Sequence, residues 1–215
     1  MKKEIIIIDD YYSKIIYEDR VINLSTFLIK DADFVKFLSQ KRVLEILDLG
    51  CGTIRPKILL IIKHIYKSHN LVGIDKDWNR DRLQNPYEGY KRFLKNHSRL
   101  SEQEFNDFLE NSIFRYDCRN FLSQQDDNKY DFIIARDLFH HIGIRHFNKT
   151  VKLISDKLVN SGKFYFEFKP NFADSEEDKT EQYLAVLDEF FSDYRVFIIK
   201  HQDATPFKII FQNIF

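Results

Sequence analysis

The stretch Ile46-Leu47-Asp48-Leu49-Gly50-Cys51-Gly52-Thr53 constrains this chain more than any other. An apolar run ends in a carboxylate, two glycines follow two residues apart, and a helix-like segment, Arg55–Lys67, comes next. That order builds a buried strand that stops at Asp48. The backbone then turns where only glycine lets a ligand come close, and a helix N-terminus opens onto that ligand.

The rest of the chain repeats the theme. From about residue 43, strand-like and helix-like runs alternate, as in a parallel sheet covered on both faces. The expected strands are Val43–Asp48, Leu71–Asp75, Ile113–Asp117, Tyr130–Arg136, Lys163–Phe168, Val196–Lys200 and Phe207–Phe211. Pro56–Tyr66 reads as a helix with proline at its start, where a missing N–H costs nothing. Arg145–Leu158 reads as another, closed by Asn160-Ser161-Gly162. Ser175, followed by Glu176-Glu177-Asp178, has the form of an N-cap with acids in the first turn. The 41 residues between Asp75 and Asp117 exceed what one crossover helix needs and hold at least two helices of pattern, broken at Asn85-Pro86-Tyr87-Glu88-Gly89. No repeat, low-complexity tract or Gly/Ser linker divides the chain, and 215 residues suit one domain. Residues 1–42 stand outside the alternation, with Tyr11, Tyr12 and Tyr17 ahead of a helix-like Leu24–Leu38. This extension either caps the ligand site as a lid or packs on the sheet.

In a doubly wound sheet, ligands bind at the C-terminal ends of the strands. The first strand delivers Asp48 and the turn Gly50-Cys51-Gly52. The second delivers Asp75, about 20 residues past the glycines, where a carboxylate suits two ribose hydroxyls. The third ends in Asp117-Cys118, and the fourth in Arg136-Asp137 followed by Leu138-Phe139-His140-His141. A nicotinamide dinucleotide fits poorly: its pyrophosphate would face Asp48, and the position three after Gly52 is Arg55 rather than glycine. A ligand carrying a sulfonium and an ammonium is attracted by the same carboxylate.

Asp48-x-Gly50-x-Gly52 resembles the first motif of class I S-adenosylmethionine-dependent methyltransferases, with Ile54 where many members carry a third small residue. The resemblance covers about residues 43–215. It implies a single-domain, Rossmann-like α/β fold: a mostly parallel seven-stranded sheet with an antiparallel last strand and helices on both faces. Residues 79–112 would be a helical insertion bearing substrate or lid elements, or a plain elaboration. The implied cofactor is S-adenosyl-L-methionine. Asp48, Gly50, Cys51, Gly52, Asp75, Asp117, Cys118, Arg136 and Asp137 would surround it, and the acid at 117 would accept from the adenine amino group.

Methyl transfer needs a nucleophile held close to the methyl carbon and, where it carries a proton, a base. A His-His pair recurs after the fourth strand in relatives that methylate small molecules, which makes His140 and His141 the candidate bases. An imidazole of pKa about 6.5 suits hydroxyl or amine acceptors. The pair can equally cap a short helix and pack on the sheet. His146 adds no metal site, since no carboxylate or cysteine stands at a useful helical offset. The fourth strand continues Arg136-Asp137-Leu138-Phe139 and not Asn/Asp-Pro-Pro-aromatic, which disfavours adenine and glutamine amide acceptors. Glu167 and Lys169 close the fifth strand, toward substrate or toward solvent.

Charge narrows the partners. With 33 basic and 33 acidic residues, the chain advertises no polyelectrolyte, so nucleic acid is not the expected partner. The local run Lys91-Arg92-x-x-Lys95-x-His97-x-Arg99 reads as a nucleic-acid contact or a solvated helix face. The Ile5–Ile8 run has four apolar residues and ends in Asp9-Asp10. A secretory core needs roughly 7–15 and a membrane span about 20, so the expectation is a cytoplasmic protein away from membranes. The expected activity is methyl transfer to oxygen or nitrogen of a small molecule. A protein or RNA acceptor, and a non-catalytic nucleoside-binding module, are the alternatives.

Overall fold

The computed structural model describes residues 3–8, 32–53, 56–82, 85–93, 99–136, 138–142, 144–168, 180–200 and 206–213. Outside these lie Tyr11, Tyr12, Tyr17, the front of the Leu24–Leu38 helix, Ile54, Arg55, Lys95, His97, Asp137, Lys169 and the Ser175–Asp178 cap.

The described strands are β1 (Lys3–Ile8), β2 (Glu45–Leu49), β3 (Asn70–Asp75), β4 (Ile113–Arg115), β5 (Tyr130–Arg136), β6 (Leu158–Phe168), β7 (Tyr194–Lys200) and β8 (Pro206–Asn213). The helices are α1 (Ala32–Leu38), α2 (Lys57–Ile65), α3 (Pro86–Phe93), α4 (Glu102–Ser112), α5 (Cys118–Ser123), α6 (Phe139–Ile142), α7 (Ile144–Lys157) and α8 (Thr180–Phe190). The strands form one sheet in the order β1-β7-β8-β6-β5-β2-β3-β4. All pairings are parallel except those of β8, which runs antiparallel to β6 and β7.

Among the described residues the sheet therefore has eight strands, not the expected seven. The added one is β1, whose β-branched isoleucine run favours strand and pairs in parallel with β7 at the edge. The third expected strand stops at Arg115 because Asp117 leaves the sheet to cap α5, accepting hydrogen bonds from the Arg119 and Asn120 N–H groups. Nor do Asn160-Ser161-Gly162 close α7. That helix ends at Lys157, and the Asn128 and Lys129 N–H groups satisfy the carbonyls of Asp156 and Lys157 at 3.0 and 2.9 Å. With those acceptors already paired, no glycine cap is needed. Asn160–Gly162 instead form an irregular stretch of β6, between the Tyr130↔Leu158 and Phe132↔Lys163 pairs.

Strand alternation divides the core. In β5, Phe132 and Ile134 join the cluster under α1, α2 and α4, and Ile133 and Ala135 join the one under α7 and α8. Phe34 and Phe37 of α1 meet Phe132 edge-on, at centroid separations of 5.7 and 6.1 Å. Buried His69 locks α1 to the sheet. Its Nδ1 lies 3.3 Å from the Leu44 N–H and must accept, so Nε2 carries the proton donated to the Leu38 carbonyl at 2.7 Å. The segment between β3 and β4 folds as a 3₁₀ turn, α3 and α4, with Tyr90 stacked on Phe105 at 4.9 Å. A reciprocal Ser101/Glu104 capping box starts α4.

Gly73, midway along β3, sets how near α2 can come. A Cβ there would stand 2.8 Å from the terminal methyls of Leu59 and Ile113 and 3.0 Å from the Cys51 sulfur. Gly73→Ala should cost about 1–3 kcal/mol by overpacking. Urea unfolding checks this, and wild-type stability in the variant would contradict the close approach.

Candidate functional site

The turn after β2 is pinned to β3 by backbone donors. Gly50 and Cys51 N–H both reach the Ile74 carbonyl, at 2.7 and 3.2 Å. The Gly52 N–H reaches Asp75 Oδ2 at 3.1 Å, and the Asp77 N–H reaches Asp75 Oδ1 at 2.9 Å. Both glycines have positive φ, +71° at Gly50 and +110° at Gly52, where side-chain-bearing residues are strained. A Cβ at residue 50 would stand 3.4 Å from Leu138, in ordinary van der Waals contact, so it is the positive φ and not lack of space that favours glycine there.

Beyond the turn is a cleft of about 760 Å³ across the ends of β2, β3, β4 and β5. It brings together Asp48, Gly50, Cys51, Gly52, Asp75, Asp117, Cys118 and Arg136, eight residues singled out in the sequence. Asp137 is outside the described residues, and His140 and His141 lie on α6, with their side chains outside the description. Lys57, Tyr116 and His146 also line the cleft and were not anticipated there. Tyr116 was signalled only by its place before Asp117. His146 gave no local signal beyond lying shortly after the His-His pair.

Asp48 is 2% exposed, and its Oδ1 has no hydrogen-bond partner among the described residues. Burial pushes this carboxyl up to about 7, opposed by the nearby Arg136 charge and assisted by that of Asp75. Asp117 sits below the usual carboxylate range, chiefly because the Arg119 side chain donates to it. Burial raises both thiols, that of Cys118 to about 11, so neither cysteine offers a thiolate nucleophile near neutrality.

Glu167 corrects the expectation of a rim residue. It is 1% exposed, accepts from Arg136 Nε at 2.8 Å, and takes the Tyr165 hydroxyl at 3.1 Å. Its work is inside the protein, holding Arg136.

The Asp48 imbalance has a measurable sign. Its folded pKa exceeds the unfolded 3.8, so between about pH 4 and 7 the folded state keeps a proton that the unfolded chain has lost. Stability from this group thus falls as pH rises through that window and is lowest above it. Asp48→Asn should melt higher than wild type at about pH 8, with the gap closing toward about pH 5. A variant that melts lower at both pH values would contradict the uncompensated carboxylate.

Comparison with known proteins follows the same line. A family model described as a methyltransferase domain matches residues 26–195. No curated protein sequence matches the chain. Among solved structures, a SAM-dependent methyltransferase from Archaeoglobus fulgidus superposes with a TM-score of 0.57 at 14% identity, covering 94% of this chain and 99% of that one. The bifunctional kinase-methyltransferase WbdD gives 0.52 at 14% identity, covering 97% of this chain but 43% of WbdD. A predicted O-methyltransferase from Agrobacterium tumefaciens gives 0.50 at 14% identity, over 82% and 76%. These likenesses carry the fold, and the family model spans most of the chain. The chain belongs to the methyltransferase-domain family, as an enzyme that transfers methyl groups from S-adenosyl-L-methionine.

Proposed function

We propose that the cleft holds S-adenosyl-L-methionine beside a small-molecule acceptor and that the methyl group passes to an oxygen or nitrogen atom of that acceptor. When bound, the cofactor supplies an electrophilic methyl carbon on a sulfonium and leaves as a neutral thioether. The observation that carries the reading is the buried, unpartnered Oδ1 of Asp48 in a cleft entered over a glycine turn. A dry carboxylate without a partner is costly, and a cationic ligand group offsets that cost.

The other residues fit around that anchor. Asp75 already receives two backbone N–H groups, and a carboxylate has lone pairs left for ribose hydroxyls. The Gly50-Cys51-Gly52 backbone lets the cofactor lie against the turn. Asp117 and the Cys118 N–H would border the adenine, with Arg136 toward the methionine end. For the proton of the acceptor, the candidates are His140 and His141 on α6, immediately after β5. His146, whose side chain lines the cleft, is a third. A volume of about 760 Å³ suits small ligands, whose sites run from about 300 to 1,000 Å³. Zero formal charge supports a small acceptor over a nucleic acid.

Labelled transfer tests the reading. Protein charged with methyl-labelled cofactor and offered fractionated cell extract should label the small-molecule fraction. Label in protein or RNA would move the acceptor to a macromolecule docking near residues 79–112, and no transfer despite tight S-adenosylhomocysteine binding would mark a binding module. Replacing the true base among His140, His141 and His146 by Ala should lower turnover about 10²–10⁴-fold while S-adenosylhomocysteine affinity holds. Full activity in all three variants would contradict histidine as the base.

A further inference from the structure

Arg136 stands where the donor end of the cleft gives way to the β5–β6 side. By strand register, Asp48 lies beside Ile134, and Arg136 beside Glu167. Alternation therefore puts Asp48, Arg136, Tyr165 and Glu167 on one face of the sheet. The residues suited to a nucleoside, Asp75 and Asp117, lie past β2 on the β3–β4 side, whereas Arg136 and Glu167 lie on the β5–β6 side. Strands stand about 4.8 Å apart, so the Arg136 backbone is about 10 Å across the sheet from that of Asp75. A molecule approaching the methyl end of the donor from the β5–β6 side meets Arg136 first.

The way the arginine is held leaves part of it unused. Buried Glu167 takes its Nε alone, at 2.8 Å, instead of meeting the guanidinium end-on in two parallel bonds. Tyr165 fixes the other Glu167 oxygen. The two Nη groups have no hydrogen-bond partner among the described residues, and the side chain, 30% exposed, lines the cleft. A planar fork locked from behind and open in front is preorganised for a carboxylate, which it receives through two parallel N–H donors.

Resting on the small-acceptor reading above, we propose that the methyl acceptor is an acid whose carboxylate docks on the Nη edge of Arg136. The carboxylate anchors the molecule, and a separate oxygen or nitrogen atom takes the methyl group. Glu167 is a positioning residue for this contact, since it touches Arg136 and is sealed from the cleft.

The test starts from the small-molecule fraction of a cell extract, incubated with the protein and methyl-labelled S-adenosylmethionine. Products pass over an anion-exchange resin at neutral pH. The label should be retained as an anion, and Arg136→Gln should lower the retained label about 10–100-fold, the loss expected for a charge-assisted contact. S-adenosylhomocysteine affinity, read by calorimetry, should fall by far less than the retained label: Arg136 also faces Asp48 at the donor end, but only the acceptor needs its Nη edge. Arg136→Gln strips buried Glu167 of the positive charge beside it, so R136Q/E167Q, which restores a neutral hydrogen-bonded pair, is run in parallel and should lose the label equally. Unreacted donor is a cation and passes through, so only methylated products are scored: a labelled product in the unretained fraction would overturn the proposal, as would wild-type transfer by both variants. Donor affinity falling as far as transfer would assign the arginine to the donor's own carboxylate and overturn it too. No label in any small molecule would overturn the parent reading, and is told apart because nothing is then available to retain.

Discussion

Everything at this site depends on how the turn after β2 is tied to β3. Gly50 and Cys51 donate to the Ile74 carbonyl, and Gly52 donates to the Asp75 carboxylate. Those bonds hold two residues at positive φ, press the turn against Leu138, and leave the preceding Asp48 where water does not reach it. Gly73 belongs to the same constraint from below, since a side chain there would push on Cys51 and on the helix that follows the turn. Loosening either contact would let solvent reach the carboxylate that gives the cleft its character.

The electrostatics follow from that burial. Asp48 costs the free protein stability in proportion to how strongly it is desolvated, and its Oδ1 is unsatisfied. Such a group is tolerated where a ligand completes it, which is the usual exchange of stability for function. Two strands away, on β6, the balance is struck differently. Glu167 is as deeply buried, but Arg136 and Tyr165 both donate to it, so the protein completes that carboxylate itself. Two buried acids on one face of the sheet thus have opposite assignments: Asp48 open to a ligand, Glu167 spent on fixing an arginine.

Much of this was legible in the chain because the signals are local. Tyr130–Arg136 is buried from Tyr130 to Ala135 and reads as a strand over the very residues it occupies. Acids that end apolar runs, Asp48 and Asp75, line the cleft because strands bring their C-terminal ends together, and Asp117 joins them as a helix cap. What could not be read were features fixed by distant pairing. The isoleucine run at the start becomes an eighth strand only because β7 is there to receive it. The α7 carbonyls are closed by Asn128 and Lys129, so the nearby glycine was misread as a cap. Glu167 resembles any polar strand end until Arg136 and Tyr165 are seen around it.

The central claim is that burial pushes Asp48 up to about 7, so that below neutrality most of it is protonated until it ionises to meet the ligand's ammonium group. Calorimetric titration of S-adenosylhomocysteine at about pH 6.5, repeated in buffers of different ionisation enthalpy, reads this as protons exchanged on binding. With a free-state pKa of about 7, more than about half a proton should be released per ligand bound, and Asp48→Asn should release none. Binding with no proton exchange in the wild type, or with proton uptake, would contradict the account.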